Sequence, residues 1–409
     1  MVAALLVLAA PKPWTVAPYL QLGSDDQTGT ERSLTLRWFA ADTRGYSVSY
    51  NAGTGFRDAP ISIRGRALSA KLSHLPPTFA YRVAHNGEVL LSATAKGPPV
   101  PGTSYSAIVI GDSGRGLPGQ WNLAQTLGKE SPSLLVHTGD IAYPRGVETE
   151  YTKYHFPVYN AEPGSTRGTS MLRSVTSVAT PGNHDTAYRD APNGLAYYLV
   201  WDQPTSLSGE QTDLSTLAAR RKEKARGNFS FAWGPSWWTV LDANTYRDWK
   251  TAANRAWLDR ELARGAKYPW RFVVWHQPGY HSSHNKERER YMTSVYDLLT
   301  KHNVAVVFNG HVHNYQRSYP IRTVGGKAIV DRSYRGDGRA NGVVTVVTGA
   351  GGAELYDQLM AAKPATWKPF TAKYVAGYSF TRLQVGMQSV QISQIGIGGK
   401  VLDTFRISR

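Results

Sequence analysis

Five short apolar segments of this chain are each followed closely by a residue that can bind a metal ion. Aspartate, asparagine and histidine supply the oxygen and nitrogen donors that metal sites use. Two imidazoles one residue apart, after a strand, also suit a metal site better than a core. The segments and the residues after them are Ile108–Ile110 before Asp112, Leu134–Val136 before Asp140, Val175–Ala179 before Asn183, Phe272–Trp275 before His276, and Val304–Phe308 before His311 and His313.

The position of these residues after predicted strands indicates how the site is built. An open α/β sheet gathers its ligands on loops at the carboxyl ends of its strands. Each motif alone is weak, because Gly–Asp pairs are common in turns and a histidine after a strand, such as His276, can be a core residue. Five such motifs in one chain predict a metal-dependent hydrolase.

The ordered motifs resemble those of the calcineurin-like metallophosphoesterases, and one detail narrows the resemblance. Much of that superfamily has a histidine ligand two residues after the first aspartate, where this chain has Gly114. Tyr143 stands three residues after Asp140, and this exchange is the mark of the purple acid phosphatases. The resemblance includes Asn314–Arg317 and the glycine-rich Thr348–Ala353, and it spans roughly residues 103 to 409.

The resemblance implies a binuclear metal centre whose two ions share one bridging carboxylate, that of Asp140. The remaining ligands are Asp112, Tyr143 and His313 for the first ion, and Asn183, His276 and His311 for the second. A phenolate and carboxylates suit Fe(III), whereas imidazoles and an amide oxygen suit a divalent ion such as Zn, Mn or Fe(II). The implied activity is that of an acid phosphatase, which hydrolyses phosphate monoesters with a metal-bound hydroxide.

Further histidines are candidates for contact with the substrate. His184 follows a predicted ligand at the position where the family has a substrate-contacting histidine, so it is expected to donate a proton or to bind phosphate. Related enzymes also have substrate-facing histidines in the loop after His276. His281 and His284 are the candidates there, and each of them also fits a solvated loop residue.

The first hundred residues predict a different fold. Leu34–Trp38 and Tyr46–Tyr50 alternate between apolar and polar residues, and Asn86-Gly87 joins two further strands with the composition of a type I′ turn. Residues 13–98 thus predict an all-β sandwich, and they resemble the fibronectin type III-like domain that precedes many purple acid phosphatase domains. The Pro- and Gly-rich stretch 97–102 marks the boundary.

Residues 103–409 are expected to form the α/β metallophosphoesterase domain. Ala253, Trp257, Leu258 and Leu262 share one face of a predicted helix. Met292, Val295, Leu298 and Leu299 share a face of another. The resemblance implies two mixed sheets packed together with helices on the outside.

Composition limits the partners of the protein. Lys and Arg number 46 against 30 Asp and Glu, a formal charge of +16, yet the basic residues are scattered apart from a cluster in the polar insertion 206–226. We therefore expect small anionic phosphate esters as substrates and no specific nucleic acid. The chain has no cysteine, so a disulfide-linked dimer is impossible, and a monomer or a non-covalent oligomer is expected.

The start of the chain is apolar. Residues 1–12 resemble the remnant of a signal peptide without its basic beginning, which predicts a secreted or periplasmic protein. An N-terminal strand or a disordered tag are the other interpretations. The apolar run is too short to span a bilayer, and no other stretch of the sequence is long and apolar enough.

Two other functions fit the motifs. A phosphodiesterase, for example one acting on cyclic nucleotides, uses the same kind of bimetallic core. A secreted binding protein with a vestigial metal site is the more distant alternative. The presence of all seven expected ligands argues against a vestigial site.

Overall fold

The computed structural model describes residues 12–24, 32–186, 195–204 and 227–409. The predicted signal remnant, apart from its last residue, lies outside the described residues, and so does the whole polar insertion 206–226. No helix in the described part of the chain is long and apolar enough to cross a membrane.

Eight strands come from the N-terminal segment. They are β1 Trp14–Gln21, β2 Leu34–Ala40, β3 Tyr46–Asn51, β4 Phe56–Ala59, β5 Ile61–Arg64, β6 Ala67–Leu72, β7 Thr78–His85 and β8 Glu88–Lys96. The Asn86-Gly87 turn between β7 and β8 has φ of 50° and 84°, the pair of positive values that a type I′ turn requires. The predicted hairpin is therefore confirmed.

The rest of the chain alternates strands and short helices. Its strands are β9 Tyr105–Ile110, β10 Leu134–His137, β11 Thr176–Ala179, β12 Phe229–Trp233, β13 Ser236–Val240, β14 Trp270–Val274, β15 Val306–Asn309, β16 Tyr315–Ser318, β17 Ile321–Val324, β18 Lys327–Val330, β19 Val344–Thr348, β20 Thr371–Val375, β21 Ser379–Val385, β22 Ser389–Gly396 and β23 Val401–Ser408. Among the described residues, its α-helices are α1 Pro118–Leu127, α2 Glu148–Glu150, α3 Phe156–Tyr159, α4 Ala196–Val200, α5 Ala252–Arg264 and α6 Tyr296–Lys301.

Two large sheets carry the predicted motifs. The first has the strand order β23-β22-β21-β9-β10-β11-β1-β2-β6-β5, and the second β12-β13-β14-β15-β19-β16-β20. β9, β10 and β11 are neighbours and parallel, as are β13, β14, β15 and β19. Three of the five motifs therefore lie at the carboxyl ends of strands in the first sheet. The other two lie at the carboxyl ends of strands in the second sheet.

The two sheets pack face to face over an aromatic and aliphatic core. Val109 and Val136 of the first sheet join Trp238, Phe272 and Phe308 of the second in one buried cluster. Burial of large apolar side chains at this contact, at about 25 cal/mol per Å² of surface, is the main stabilising contribution. The predicted packing of two mixed sheets is confirmed.

Helices cover the outer faces of both sheets. In α5, Trp257, Leu258 and Leu262 are buried against the second sheet, as the periodicity predicts, while Ala253 of the same predicted face is exposed. Thr251 caps this helix by accepting a hydrogen bond from the backbone N–H of Asn254. The second predicted helix is a 3₁₀ turn, Tyr291–Val295, that continues into α6.

Half of the N-terminal strands are continuous with the first large sheet. β4, β3, β7 and β8 form a separate four-stranded sheet, whereas β1, β2, β6 and β5 extend the first large sheet. β1 pairs in parallel with β11 at Gln21 and Ser177. An N-terminal β-sandwich is consistent with these two sets of strands, and the domain limits 13–98 and 103–409 stay predictions.

Two buried histidines lie behind the strand that leads to Asp140. His137 ends β10, its ring centroid is 5.5 Å from that of His155, and both residues are buried among aromatic side chains. In the part of the chain that the structure describes, neither nitrogen of either ring has a hydrogen-bond partner. Burial lowers the pKa of His137 to about 3 and the pKa of His155 well below its usual range.

These histidines predict that stability falls on acidification. An unfolded chain binds a proton at each imidazole below about pH 6.5, whereas the folded protein resists protonation down to a much lower pH. Each group therefore costs up to about 1.4 kcal/mol per pH unit below pH 6.5. We expect His137→Phe to lessen the decrease in melting temperature between pH 7 and pH 5.

The exposed His284 provides the matched control. His284→Phe makes the same substitution at an exposed position, so the change in His137→Phe is measured relative to this variant. An identical dependence in His137→Phe and wild type would show that His137 is protonated in the folded protein and would contradict its assignment as a buried neutral group.

Candidate metal centre

The structure brings the seven predicted ligands together where the motif-bearing strands end. The Tyr143 hydroxyl oxygen lies 3.1 Å from Asp112 Oδ1, 3.2 Å from Asp140 Oδ2 and 3.1 Å from His313 Nε2. His313 Nε2 is also 3.3 Å from Asp112 Oδ1. These four donor atoms form a first set.

A second set of donors shares the same Asp140 oxygen. His276 Nε2 lies 3.2 Å from Asp140 Oδ2, 3.2 Å from Asn183 Oδ1 and 3.3 Å from His311 Nδ1. Donor atoms of Asp140, His276 and His311 also lie within 4.8 Å of one another, and all three residues are buried. Asp140 is thus the residue common to the two sets.

The spacing of these atoms fits coordination to metal ions. Donors bound side by side to one ion at about 2.1 Å lie roughly 3 Å apart. The spacing does not fit a hydrogen-bond network equally well, because His276 Nε2 faces a carboxylate, an amide oxygen and another ring nitrogen at once, and one N–H cannot serve all three. A cation between these atoms would accept a lone pair from each of them.

The hydrogen bonds of the three imidazoles orient their lone pairs toward the cluster. His276 Nδ1 lies 2.8 Å from the carbonyl oxygen of Thr138, and His313 Nδ1 lies 2.7 Å from that of Glu354. His311 uses the other nitrogen, since its Nε2 lies 2.6 Å from Glu289 Oε2.

Carbonyl and carboxylate oxygens only accept hydrogen bonds, so the outward nitrogen of each of these rings is the one that carries hydrogen. The inward nitrogen is then the one able to bind a metal ion. A metal-ligating histidine characteristically donates its other N–H in this way. The residues present therefore fit a metal centre.

Three of the donor residues have a strained backbone. Asp112, Asp140 and His311 have φ of 56°, 50° and 68°, in the left-handed region that residues with a Cβ rarely adopt. Such strain costs of order 1–3 kcal/mol per residue and is found mainly at functional sites. Here the strained conformation turns each side chain from the end of its strand into the cluster.

Glycines allow the Asp140 and Asn183 loops to approach each other closely. Gly139 has φ of 90°, and a Cβ there would lie 2.7 Å from the backbone nitrogen of Gly182. A Cβ on Gly182 would lie 2.1 Å from Asp140 Oδ1. A side chain at Gly182 would displace the Asp140 carboxylate, and one at Gly139 would push the two loops apart.

Asp185 fastens these two loops together. Its carboxylate accepts hydrogen bonds from the backbone N–H of Gly182 at 2.9 Å and of Ile141 at 3.1 Å, and from the hydroxyl of Tyr151 at 3.1 Å. Burial, together with the charge of Asp140, raises the pKa of Asp185 to about 7. The sequence motifs predict no role for Asp185, although it follows two predicted site residues, Asn183 and His184.

The protonation of the cluster also favours cation binding. Burial, Asp112 and Asp140 raise the pKa of Tyr143 well above its usual value, so only a strong cation beside the oxygen would make it a phenolate. Although burial opposes the charge, Asp140 and Asp112 raise the pKa of His276 to about 9. A metal ion at this nitrogen would take the place of that proton.

A cleft of about 350 Å³ opens beside the two sets of donors. Its walls include His184, whose backbone N–H donates to Asp140 Oδ1 at 2.8 Å and whose Nδ1 lies 2.6 Å from the carbonyl oxygen of Pro144. The His184 ring packs on Tyr143 with centroids 4.6 Å apart, and its Nε2 lies 4.0 Å from Asp140 Oδ2. His184 thus lies at the edge of the donor cluster, and its contact with a substrate stays a prediction.

The other two predicted histidines do not line this cleft. His281 is buried, its Nε2 has no hydrogen-bond partner among the described residues, and burial lowers its pKa to about 3. His284 is exposed outside the cleft, and the same loop contributes Asn285 and Lys286 to the wall. Substrate contact by His281 or His284 stays a prediction.

Three residues of the site carry no sequence signal. Glu289 holds His311, Tyr356 stacks on His313 with centroids 4.2 Å apart, and Arg115 lines the cleft while it pairs with Glu354. None of them belongs to a motif, since each is brought to the site by the path of a loop. The hydroxyl of Tyr356 also donates to the carbonyl oxygen of His311 at 2.7 Å.

Comparison with known proteins identifies relatives over most of the chain. "Probable inactive purple acid phosphatase 27" of Arabidopsis thaliana is 26% identical over 376 residues, which are 83% of this chain and 57% of the relative. The "Nucleotide pyrophosphatase/phosphodiesterase" of Hordeum vulgare is 24% identical over 343 residues, or 77% of this chain and 87% of the relative. This chain thus spans little more than half the length of the Arabidopsis relative.

A solved structure has the same fold. Purple acid phosphatase PPD1 from seeds of yellow lupin (Lupinus luteus) matches with a TM-score of 0.71 and 19% identity, over 96% of this chain and 74% of the lupin chain. The family model "Calcineurin-like phosphoesterase" matches residues 105–315, the region that contains all five motifs. In agreement with the order of its motifs, the chain belongs to the calcineurin-like phosphoesterase family and resembles the purple acid phosphatases within it.

Proposed function

We propose that this protein is a dimetal hydrolase of phosphate monoesters, of the purple acid phosphatase type. One observation carries the proposal. Each of three imidazoles donates one ring N–H to an oxygen outside the cluster and turns its second nitrogen inward, toward carboxylate, phenol and amide oxygens. A site that served only to hold the fold together would have no reason to gather so many lone pairs at one place.

The two donor sets differ in their charge, which supports a different ion in each. Asp112, Tyr143 and His313 would hold the first ion with two anionic oxygens, which suits Fe(III). Asn183, His276 and His311 would hold a divalent ion, Zn, Mn or Fe(II), with neutral donors. Asp140 would bind both. When bound, such a pair of ions supplies Lewis acidity and an activated water for attack on phosphorus.

The chain's own residues supply orientation and a proton. His184 presents its ring at the cleft wall while Nδ1 is held by the Pro144 carbonyl, so Nε2 is the atom available to a substrate. Transfer of a proton from this Nε2 to the leaving oxygen would raise the rate of hydrolysis by a factor of about 10²–10⁴. Asp185 and Glu289 keep the ligands in place by the contacts described above.

A phosphodiesterase is the second candidate, and the barley relative named for that activity favours it. Relative rates on an aryl phosphate and on the matching bis-aryl phosphate distinguish the two, because our proposal requires the monoester to be hydrolysed faster. Although the Arabidopsis relative is named as probably inactive, this chain has all seven predicted donors, which supports an active centre. A secreted or periplasmic location stays part of the proposal.

The first test concerns Tyr143. A phenolate bound to Fe(III) gives a charge-transfer band in the visible, where no ordinary amino acid absorbs. We expect iron-loaded wild-type protein to be coloured, and Tyr143→Phe to lose the band because it removes the phenolate oxygen and little volume. The measurement is a visible spectrum with iron content determined on the same sample. A colourless iron-loaded wild type, or a band that persists in Tyr143→Phe, would contradict the proposal that Tyr143 binds iron as a phenolate.

The second test concerns His184. We expect His184→Ala to retain both metals and to hydrolyse phenyl phosphate about 10²-fold more slowly, because the poor leaving group needs a proton. The loss should shrink for aryl esters whose phenols are strongly acidic. Rates across a series of leaving groups, with metal content as the control, measure this. A loss of the same size for every leaving group would instead assign His184 to phosphate binding.

A further inference from the structure

The cleft beside the metal centre has two cationic side chains that the proposed chemistry does not use. Arg115 follows β9 of the first sheet, and Lys286 follows β14 of the second, so the two cations come from different layers of the fold. The phosphoryl group to be transferred already has the metal ions and His184 as partners. The additional cations therefore raise the question of what other anion the cleft receives.

The backbone before Lys286 is held firmly in place. One oxygen of Asp357 accepts the backbone N–H of His284 at 3.1 Å and the hydroxyl of Ser283. The same oxygen lies 3.4 Å from the backbone nitrogen of Asn285. Because one carboxylate fastens three consecutive residues, the loop delivers Lys286 to the cleft wall in a defined orientation.

The ammonium of Lys286 is linked to the metal centre through one carboxylate. Lys286 Nζ lies 3.3 Å from Glu289 Oε1, and the other oxygen, Glu289 Oε2, lies 2.6 Å from His311 Nε2. The Lys286 side chain is 26% exposed, so its charge is partly withdrawn from water. An ammonium has three N–H donors, and one contact to a carboxylate leaves capacity for a further anion.

Arg115 has a corresponding arrangement on the side of His313. Its Nε lies 3.1 Å and 3.2 Å from the two carboxylate oxygens of Glu354, whose backbone oxygen accepts the hydrogen bond of His313 Nδ1. The terminal NH₂ groups of a guanidinium are separate donors that suit a second anion. Each cation is thus fixed, through a glutamate, to one of the ligand histidines.

We propose that the cleft selects phosphate esters that carry a second phosphate group, and that Lys286 binds this second group with help from Arg115. The inference rests on the proposed phosphomonoesterase function and adds the substrate class to it. The cleft wall thus has a lysine ammonium where the sequence predicts substrate-facing histidines.

Three aryl esters test the proposal: phenyl phosphate, 4-carboxyphenyl phosphate and 1,4-phenylene bisphosphate. For wild-type protein we expect kcat/KM to be about tenfold higher for the bisphosphate than for phenyl phosphate. The difference should come from a lower KM for the bisphosphate. The carboxylate ester distinguishes any added negative charge from a second phosphate. We expect it to gain less than the bisphosphate, because a phosphate has more acceptor oxygens.

Variants assign the effect to Lys286. In Lys286→Gln, the preference for the bisphosphate should fall to about twofold because its KM rises. In Arg115→Gln, the preference should fall by less. Lys286→Arg should restore it. Lys267→Gln is the matched control, because Lys267 lies at the opposite, amino end of β14 and the variant loses the same charge. It should keep the wild-type preference, and metal content should be equal in all variants.

The possible outcomes distinguish a failure of this inference from a failure of the proposed phosphatase function. Hydrolysis of phenyl phosphate without a preference for the bisphosphate would overturn the inference and leave the phosphatase intact. A preference that survives in Lys286→Gln, or that falls equally in Lys267→Gln, would also overturn it, since net charge would then explain the effect. Metal-replete wild type that hydrolyses none of the three esters would overturn the inference and the proposed function together.

Discussion

The carboxylate of Asp140 is the group on which the rest of the site depends. Its Oδ2 faces both Tyr143 and His276, while its Oδ1 accepts the backbone N–H of His184. Two donor sets can share one carboxylate only if the loops from both sheets meet within a few ångströms. The absence of a side chain at Gly139 and Gly182, the left-handed backbone of Asp140 and the ties of Asp185 all serve this approach.

The fold meets this constraint with two sheets that contribute different ligands. The first sheet supplies oxygen donors, from Asp112, Asp140 and Tyr143, and the second supplies His276, His311 and His313. The aromatic core between the sheets sets their separation, so packing around Trp238 and Phe272 also fixes the distance between carboxylates and imidazoles. Stability and function are therefore linked at the interface of the two sheets rather than within a single element.

The sequence predicted the fold and the donors far better than it predicted the walls of the cleft. Strand-end positions followed from short apolar runs, which are a local pattern. The set of donor residues was implied by the resemblance of the motifs to a family, and the structure places these residues close together. The pairing of β1 with β11 has no local signal, since it joins residues more than 150 positions apart. Likewise, loop geometry turned Asn285 and Lys286 into the cleft where histidines had been expected.

The contacts around the predicted ligands also had no signal in the sequence. Glu289 lies in a run of alternating charges with nothing to mark it as the partner of His311, and Tyr356 follows a glycine-rich stretch without a motif of its own. Such residues are selected by the path of a loop through space. Periodicity, which identifies faces of helices and strands, carries no information about that path.

Metal stoichiometry tests the central claim most directly. Protein loaded with iron and zinc, freed of unbound metal and assayed for both elements should contain about two ions per chain, one of them iron. The single shared carboxylate of Asp140 predicts that both ions are lost together from Asp140→Ala. A wild-type protein that binds at most one ion per chain would contradict the account, because the two donor sets would then not form a binuclear centre.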